Sequence, residues 1–509
     1  MSHDLDLAIS PTREEFLARA GDPTCRVIPV HARLVADDQT PVGLYHQLCG
    51  DRELTWLLES AQAGVWSRWS FIGVNSLSTF YEHEGRTRWH GPVPHGIDAD
   101  AEPLAVLAQM LDVFATPAHP DLPPFTSGLV GYLGYDVVRR VEKLPDSCTD
   151  DLGVPEMMQM LASDLAVLDH HQGELWLIAN ALNLDASPEG AERAYDAACR
   201  RVRAMAEQVL SERRPLLARR GPAVEREDVL AQVERQRSSQ DFQAIVEEAK
   251  EEIRAGEIFQ VVPSQRFDLP CQVDALQVYR ELRVTNPSQY LILMRLPGFA
   301  LVSASPEALV TVREGAATTR PIAGTRPRGA TPSEDLHLEQ ELLADEKERA
   351  EHVMLVDLGR NDLGRVCSPG TVEVTEFMHV RRYSHVMHLE AAVTGQVEPG
   401  RSALDVTLAC FPAGTLSGAP KLRAMEIIDR LETTRRGVYG GAIGYFDFAG
   451  NAENAIAIRT ALIKDGVAHV QAGAGVVADS DPVAEDLETQ HKAMAVLTAV
   501  ARAQGMGQL

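Results

Sequence analysis

Apolar side chains recur along this chain with two different periods. From Ser187 onward, Ala191, Tyr195, Ala198, Val202, Met205 and Val209 return every three or four residues, the spacing of one helix face. Ser187 is a good N-cap and Pro188 suits the first helical position, so a helix is predicted to start here and to end near Pro215. Residues 241–255 repeat the pattern with Phe242, Ile245, Val246, Ala249 and Ile253, and Gly256 can terminate that helix. Elsewhere short apolar runs alternate with tight turns. Residues 165–168 and 175–178 flank His170-His171-Gln172-Gly173, 308–312 and 317–320 flank Glu314-Gly315, and 460–463 and 467–471 flank Asp465-Gly466. Each reads as a β-hairpin, and Asp-Gly is a strong signal for a two-residue type I′ turn. Residues 257–264 read as a further strand. Hairpins pair strands antiparallel, which argues against a βαβ nucleotide fold. The predicted class is α+β: antiparallel β-sheets packed as a sandwich with helices on the outside.

Charge divides the chain into regions. Residues 212–238 are arginine-rich and lack apolar periodicity, so they read as a charged linker between an N-terminal region, 1–211, and a second region, 239–509. The whole chain holds 48 basic and 73 acidic residues, a formal charge of −25. Such a balance argues against nucleic acid or an anionic membrane as partner. There is no secretory h-region after the acidic start and no apolar run of membrane-spanning length, so a soluble cytoplasmic protein is expected. Seven scattered cysteines, never spaced as CxxC, suit reduced core residues.

Candidate chemistry concentrates in the second region. Glu348 with Glu351, and Glu485 with Glu488, stand three residues apart on two segments that read as amphipathic helices, so each pair aims two carboxylates at one side. Should the faces meet, like charges about 4 Å apart repel by roughly 4 kcal/mol at moderate dielectric. Mg²⁺ relieves that better than Zn²⁺, which favours Cys or His; solvent-facing helix faces are the competing reading. Arg320, Arg326 and Arg328 around Gly324-Thr325 can fork onto a carboxylate ligand or pair with the protein's own acids. Gly473-Ala474-Gly475 offers a nest of amides or a plain bend. Residues 414–421 lack the ending of a phosphate loop. His385 and His388, three apart on a strand, face opposite ways and do not share a metal; one can serve acid–base chemistry or both can be structural.

These residues also carry a resemblance. PIAGTRPRG, the run from Glu348 to Asp362, HVMHLE, FPAGTLSGAPK, RGVYGGAIGYF, AIAIRT, QAGAGVV and the segment from Glu485 to Thr489 follow one another in the order seen in chorismate-utilising enzymes. Among these, the chain most resembles the aminating component I of anthranilate synthases, whose N-terminal feedback motif is echoed by Leu57-Leu-Glu-Ser60 and by residues 66–73. The resemblance implies that Glu351 and Glu488 bind Mg²⁺, supported by Glu348 and Glu485. It implies that Gly324, Thr325, Tyr439, Arg459, Gly473, Ala474 and Gly475 contact chorismate. Glu307 matches the general acid for the departing C4 hydroxyl, with a pKa raised by burial beside other carboxylates. His388 matches the histidine of pyruvate elimination, and Thr415 lines the pocket.

Relatives that add water carry a lysine where this chain has Gln260, and aminodeoxychorismate synthases carry one where it has Ala323. Without either lysine, the resemblance implies ammonia adding directly to chorismate, giving anthranilate and pyruvate at the first step of tryptophan biosynthesis. No glutaminase nucleophile pattern is visible, so a separate glutamine amidotransferase subunit is expected to supply ammonia, in a hetero-oligomer. Ser60, Gln289, Tyr290 and Leu291 match the segments that bind L-tryptophan as feedback inhibitor; a helix cap and a strand entry fit the same residues. Aminodeoxychorismate synthase and a noncatalytic tryptophan sensor are the rival readings.

Overall fold

The computed structural model describes residues 7–22, 24–61, 68–211, 216–221, 223–382 and 386–508. Trp66, Ser67 and His385 therefore lie outside the described residues, as do 212–215 of the charged stretch. Two 11-stranded sheets dominate, and every ladder within them is antiparallel. One runs from an edge at Val27–Val35 through Thr55–Glu59, Tyr290–Leu296, Phe299–Ser305, Thr460–Lys464 and Val467–Gly473 to Glu234–Arg235. The other runs from Ile322–Pro327 and Val386–Gln396 through Ala308–Arg313, Ala442–Asp447 and Gly128–Leu133 to Arg86–His90. Strands from both sides of residues 212–238 thus enter both sheets.

Alternation of side chains explains the layering. In Thr55–Glu59, Trp56 and Leu58 point into the core between the sheets, while Leu57 faces the helices outside. Val130 and Tyr132 do the same from Gly128–Leu133, with Leu129 and Leu133 turned outward. Both faces of each sheet are covered, so these strands read as nearly continuous apolar runs. Helices Pro188–Leu210, Ala275–Thr285 and Pro482–Gln504 contribute to the core outside the first sheet. Ala403–Cys410 and part of Glu346–Gly364 do so outside the second. No described helix is long and apolar enough to cross a membrane.

The three hairpins form in the expected register, Leu168 opposite Leu175, Val312 opposite Ala317, and Lys464 opposite Val467. Asp465 and Gly466 both take positive φ, 49° and 78°, as a type I′ turn requires. Other expectations are corrected. The Ser187-capped helix ends at Leu210, because Ser211 is already extended. The strand expected over 257–264 is broken: Gln260–Val261 pairs with Gly418–Ala419, and Ser264–Pro270 opens a separate strand. Pro263, which has no N–H to give a ladder, stands between them. The charged stretch holds the helix Arg226–Leu230 and the edge strand Glu234–Arg235, where charged side chains are well placed.

Gly73 shows how closely the core is fitted. A Cβ there would stand 2.1 Å from the indole of Trp56, itself 1% exposed. Gly73→Ala is expected to lower the calorimetric unfolding midpoint through an overpacking cost of about 1–3 kcal/mol; an unchanged midpoint would contradict that packing.

Candidate active site

The Ile322–Pro327 strand, its neighbour Val386–Gln396 and the helix Glu346–Gly364 meet at Gly324. This residue is a bulge between Ala323 and Thr325 with φ of 63°, a conformation glycine adopts freely. A Cβ here would approach the Leu342 side chain to 2.9 Å and Glu348 Oε2 to 3.2 Å. The bulge turns the Gly324 carbonyl toward His388, whose Nδ1 lies 2.9 Å from that oxygen and 3.0 Å from Thr325 Oγ1. Donation from Nδ1–H to the carbonyl assigns the lone pair of the neutral ring to Nε2. Burial, reinforced by the charge of Arg459, holds His388 below its usual pKa against the opposing pull of the Gly324 bond.

Glu307 follows the strand Phe299–Ser305, and its carboxyl accepts a 3.1 Å hydrogen bond from Thr415 Oγ1 in the tight turn Gly414–Leu416. It keeps some exposed surface, yet enough protein surrounds the carboxyl that burial pushes it up to about 8. Thr415 and the charge of Lys492 pull the other way. The raised pKa was expected from burial beside other carboxylates; burial alone raises it here, since no carboxylate is among its causes. Glu307 is thus a neutral acid near pH 7 and Thr415 its hydrogen-bond partner.

Arg459 and Tyr439 form the next wall. Arg459 has φ of 51° and donates to the Lys492 carbonyl at 2.8 Å. Burial lowers its pKa, only partly offset by Tyr439 and Glu488, and among the described residues no carboxylate comes within salt-bridge distance. A buried guanidinium of this kind suits an anionic ligand. Tyr439 lies against Gly473: a Cβ on that glycine would sit 2.9 Å from the phenol oxygen. Of the nest and the plain bend read at 473–475, the nest loses its central amide: Ala474 N–H donates to the Pro263 carbonyl at 3.1 Å, and the following Val476 amide donates to Val261 at 2.8 Å. Gly475 instead gives Gln260 room; a Cβ there would stand 2.8 Å from Gln260 Nε2.

The four glutamates occupy two helices as expected. Asp345 caps Glu346–Gly364 through the amides of Lys347 and Glu348, and Asp481 caps Pro482–Gln504 through Ala484. The faces approach, since Lys347 of the first helix acts on Glu485 of the second. Each direct-ligand candidate has a partner: Gln260 Nε2 donates to Glu351 at 3.1 Å, and Lys492 Nζ meets Glu488 at 2.6 Å. Burial and then Glu351 raise the pKa of Glu348; burial raises that of Glu485, with Glu488 adding to it. No cluster of three or more metal-ligating side chains is preformed among the described residues. The donors themselves, hard carboxylate oxygens crowded by like charge, fit a hard divalent cation.

The three arginines near Gly324 serve the protein's own acids. Arg320 pairs with Glu390 at 3.3 Å, Arg326 with Asp345 at 2.8 Å, and Arg328 with Asp335 at 2.7 Å. Lys421, in the segment that failed as a phosphate loop, pairs with Asp362 at 2.8 Å.

Comparison with known proteins decides the family. The family model described as chorismate binding enzyme matches residues 57–498. The chain belongs to the chorismate-binding enzyme family. It is 52% identical over 512 residues to anthranilate synthase component 1 of Mycolicibacterium smegmatis, covering 99% of this chain and 96% of that protein. It is 47% identical to the protein of that name from Arthrobacter globiformis, covering 97% of this chain and 93% of the relative. The crystal structure of anthranilate synthase component I from Streptococcus pneumoniae superposes with a TM-score of 0.73 at 36% identity, covering 86% of this chain and 93% of that one. MenF, an isochorismate synthase of Escherichia coli, shares the fold with a TM-score of 0.68 at 18% identity, covering 96% and 98% of the two chains.

In this member of the chorismate-binding family the two candidate inhibitor segments are neighbours. Leu291 pairs with Glu59 in the ladder beside Ser60, and the Ala61 amide donates to Ser288 at 3.0 Å. Gln289 Nε2 donates to Tyr290 Oη at 3.2 Å. Leu291, 2% exposed, packs into the core beneath the outer helices, so its side chain supports the segment from behind.

Two site features escaped the sequence reading. Lys492 joins Glu488 to the Gly473 carbonyl, which it reaches at 3.0 Å; its only signal was a position one turn beyond Glu488. The second is a buried ion pair. Arg436 and Glu432 are 1% and 5% exposed and meet at 2.6 Å. Arg436 also donates to Leu416 and Val262 carbonyls at 2.6 and 2.7 Å, while Glu432 accepts from the Ser264 amide and hydroxyl. Arg436→Met should cost about 3–5 kcal/mol in urea unfolding, because it strands a buried carboxylate. Pairing it with Glu432→Leu should recover part of the loss; equal stability of both variants and wild type would refute the assignment.

Proposed function

We propose that the chain converts chorismate and ammonia to anthranilate and pyruvate, the first step of tryptophan biosynthesis, as the aminating component of an anthranilate synthase. The observation carrying this reading is what stands at two positions where relatives place a lysine. Gln260 spends its amide on Glu351, and Ala323 is buried beside the Gly324 bulge. Neither side chain can activate water or attack the ring, so the nucleophile comes from outside, while Glu307 remains a neutral acid. The names of the full-length relatives support the same reaction.

Arg459 and Tyr439, with Lys492, face the substrate's carboxylates. Glu307 gives its proton to the C4 hydroxyl, which leaves as water as ammonia adds at C2. His388 Nε2 then takes the C2 proton as the bond from C3 to the enolpyruvyl oxygen breaks, and the released enolpyruvate takes up a proton to become pyruvate. Glu351 and Glu488, with Glu348 and Glu485 in support, would hold Mg²⁺, which would supply counter-charge for the ring carboxylate. Ammonia comes from a glutamine amidotransferase subunit, and the reaction takes place in the cytoplasm.

The test is anthranilate fluorescence from chorismate, Mg²⁺ and ammonium salt. Glutamine in place of ammonium should yield none until the second subunit is added. A product other than anthranilate would overturn the reading. Glu307→Gln should lower kcat by about 10²–10⁴-fold, the usual worth of a positioned general acid. The active form of Glu307 is protonated, so at a fixed concentration of unprotonated ammonia the wild-type kcat should fall as pH rises through about 8; a flat profile would exclude the acid role.

L-tryptophan bound at Ser60, Gln289 and Tyr290 is the proposed feedback inhibitor. Linkage requires that if tryptophan weakens chorismate binding, chorismate weakens tryptophan binding by the same factor. Calorimetric titration of each ligand with and without the other checks this; equal chorismate affinity in both states rules out inhibition through binding.

A further inference from the structure

Glu307 and Thr415 line a half-open cavity of about 50 Å³ on the side of the helix Glu346–Gly364. Its walls include Glu307, Thr319, Arg320, Gly359, Asp362 and Thr415. Since roughly 10–15 Å³ in this measure suffices for one water, it has room for more than one water molecule. Two features make the space polar. Asp362, only 6% exposed, stands in its wall in ion contact with Lys421. Thr319, 7% exposed at the end of the strand Ala316–Thr319, has its Oγ1 buried with no hydrogen-bond partner among the described residues. A buried hydroxyl left without a partner destabilises the fold, and a water in the adjoining cavity removes that cost. Gly359 keeps the approach open: a Cβ there would come within 3.0 Å of Thr319 Oγ1.

The reaction proposed above leaves Glu307 as a carboxylate after each turnover, and protein surrounds most of the carboxyl, which keeps only some exposed surface. Thr415 cannot restore the proton unaided, since a hydroxyl that gives its proton to a carboxylate must at once receive another. We propose that the cavity holds a short chain of ordered waters, anchored by Thr319 Oγ1, through which Glu307 regains a proton from solvent. The balance is simple: Glu307 carboxylate takes a proton from the nearest water, that water takes one from its neighbour, and a solvent hydronium or buffer acid supplies the last. No bond to the substrate is made or broken in this step. Thr319 is accordingly a positioning residue, acting through water. The inference rests on the proposed role of Glu307.

The experiment compares wild type, Thr319→Val and Thr319→Ser, with chorismate and ammonium salt. Valine keeps the volume and removes the hydroxyl. It should lower kcat about 5- to 50-fold with KM for chorismate unchanged, raise the solvent deuterium isotope effect on kcat, and respond to added small buffer acids. Serine should restore kcat and the isotope effect to within about twofold of wild type. Wild-type kcat and isotope effect in Thr319→Val overturn the relay. So does a loss of activity with an unchanged isotope effect and no serine rescue, which marks a purely structural role. A crystal structure of the wild type with no ordered water between Glu307 and Thr319 overturns it independently of activity. If the wild type forms no anthranilate, the proposed function falls and the relay with it; an active wild type with an indifferent Thr319→Val removes the relay alone.

Discussion

The buried ion pair between Glu432 and Arg436 holds the parts of this site in one frame. Taking two charges out of water costs several kcal/mol per ion, so such a pair persists only where nearly every donor and acceptor is used. Arg436 reaches both oxygens of Glu432 and the carbonyls of Val262 and Leu416. Glu432 takes both donors of Ser264. Leu416 follows Thr415, Ser264 pairs with Gly473, and Tyr439 lies under the same guanidinium at 5.6 Å. One charge pair therefore ties the Glu307 partner, the glycine strand and the phenol together. Hydrogen bonds that must all be made or all be lost give a site a single geometry.

Within that frame, one physical cause adjusts three groups of different kinds. Burial raises Glu307, lowers His388 and lowers Arg459, in each case disfavouring the charged form. For the carboxyl and the imidazole the outcome is a neutral acid and a neutral base at the same pH, the separation of roles that acid–base catalysis needs. For arginine, neutrality is out of reach, so the unmet demand is for an anion. The net charge of −25 does not decide the field here, because at close range Arg459 dominates while Lys492 is held against Glu488.

What the sequence made legible follows how local the causes are. The Asp465-Gly466 hairpin and the Ser187 cap depend on a few adjacent residues and formed as read. Motif order pointed to Glu307, His388 and Thr415, and the fold brings Glu307 to Thr415 and His388 to Gly324 and Thr325. Features set by distant partners stayed hidden. Glu234–Arg235 becomes a strand only because Ser264–Pro270 offers an edge. The amides of 473–475 suggest a nest until Pro263 claims one of them. Lys492 one turn after Glu488 reads as an ordinary surface pair, and only the approach of Gly473 gives it a place in the site. The arginines of the Gly324 motif were ambiguous for the converse reason: their acidic partners, such as Asp335 and Glu390, cannot be told from any other acid by spacing.

The shared sheets also bear on how the two ends of the molecule communicate. Tyr290 opens the strand that pairs with Glu59 on one side and, through Tyr290 opposite Ser305, with Phe299–Ser305 on the other. Ser305 stands two residues before Glu307 and is itself fixed by donation to the Ile456 carbonyl at 2.7 Å. A single ladder therefore separates the segments around Ser60 and Tyr290 from the acid. Sheets with both faces packed do not deform smoothly, so a ligand wedged beside Tyr290 either leaves this ladder as it is or shifts it as a unit. The 3.1 Å contact between Glu307 and Thr415 lies just beyond the end of that strand. A ligand acting through this ladder would act by strand register and packing.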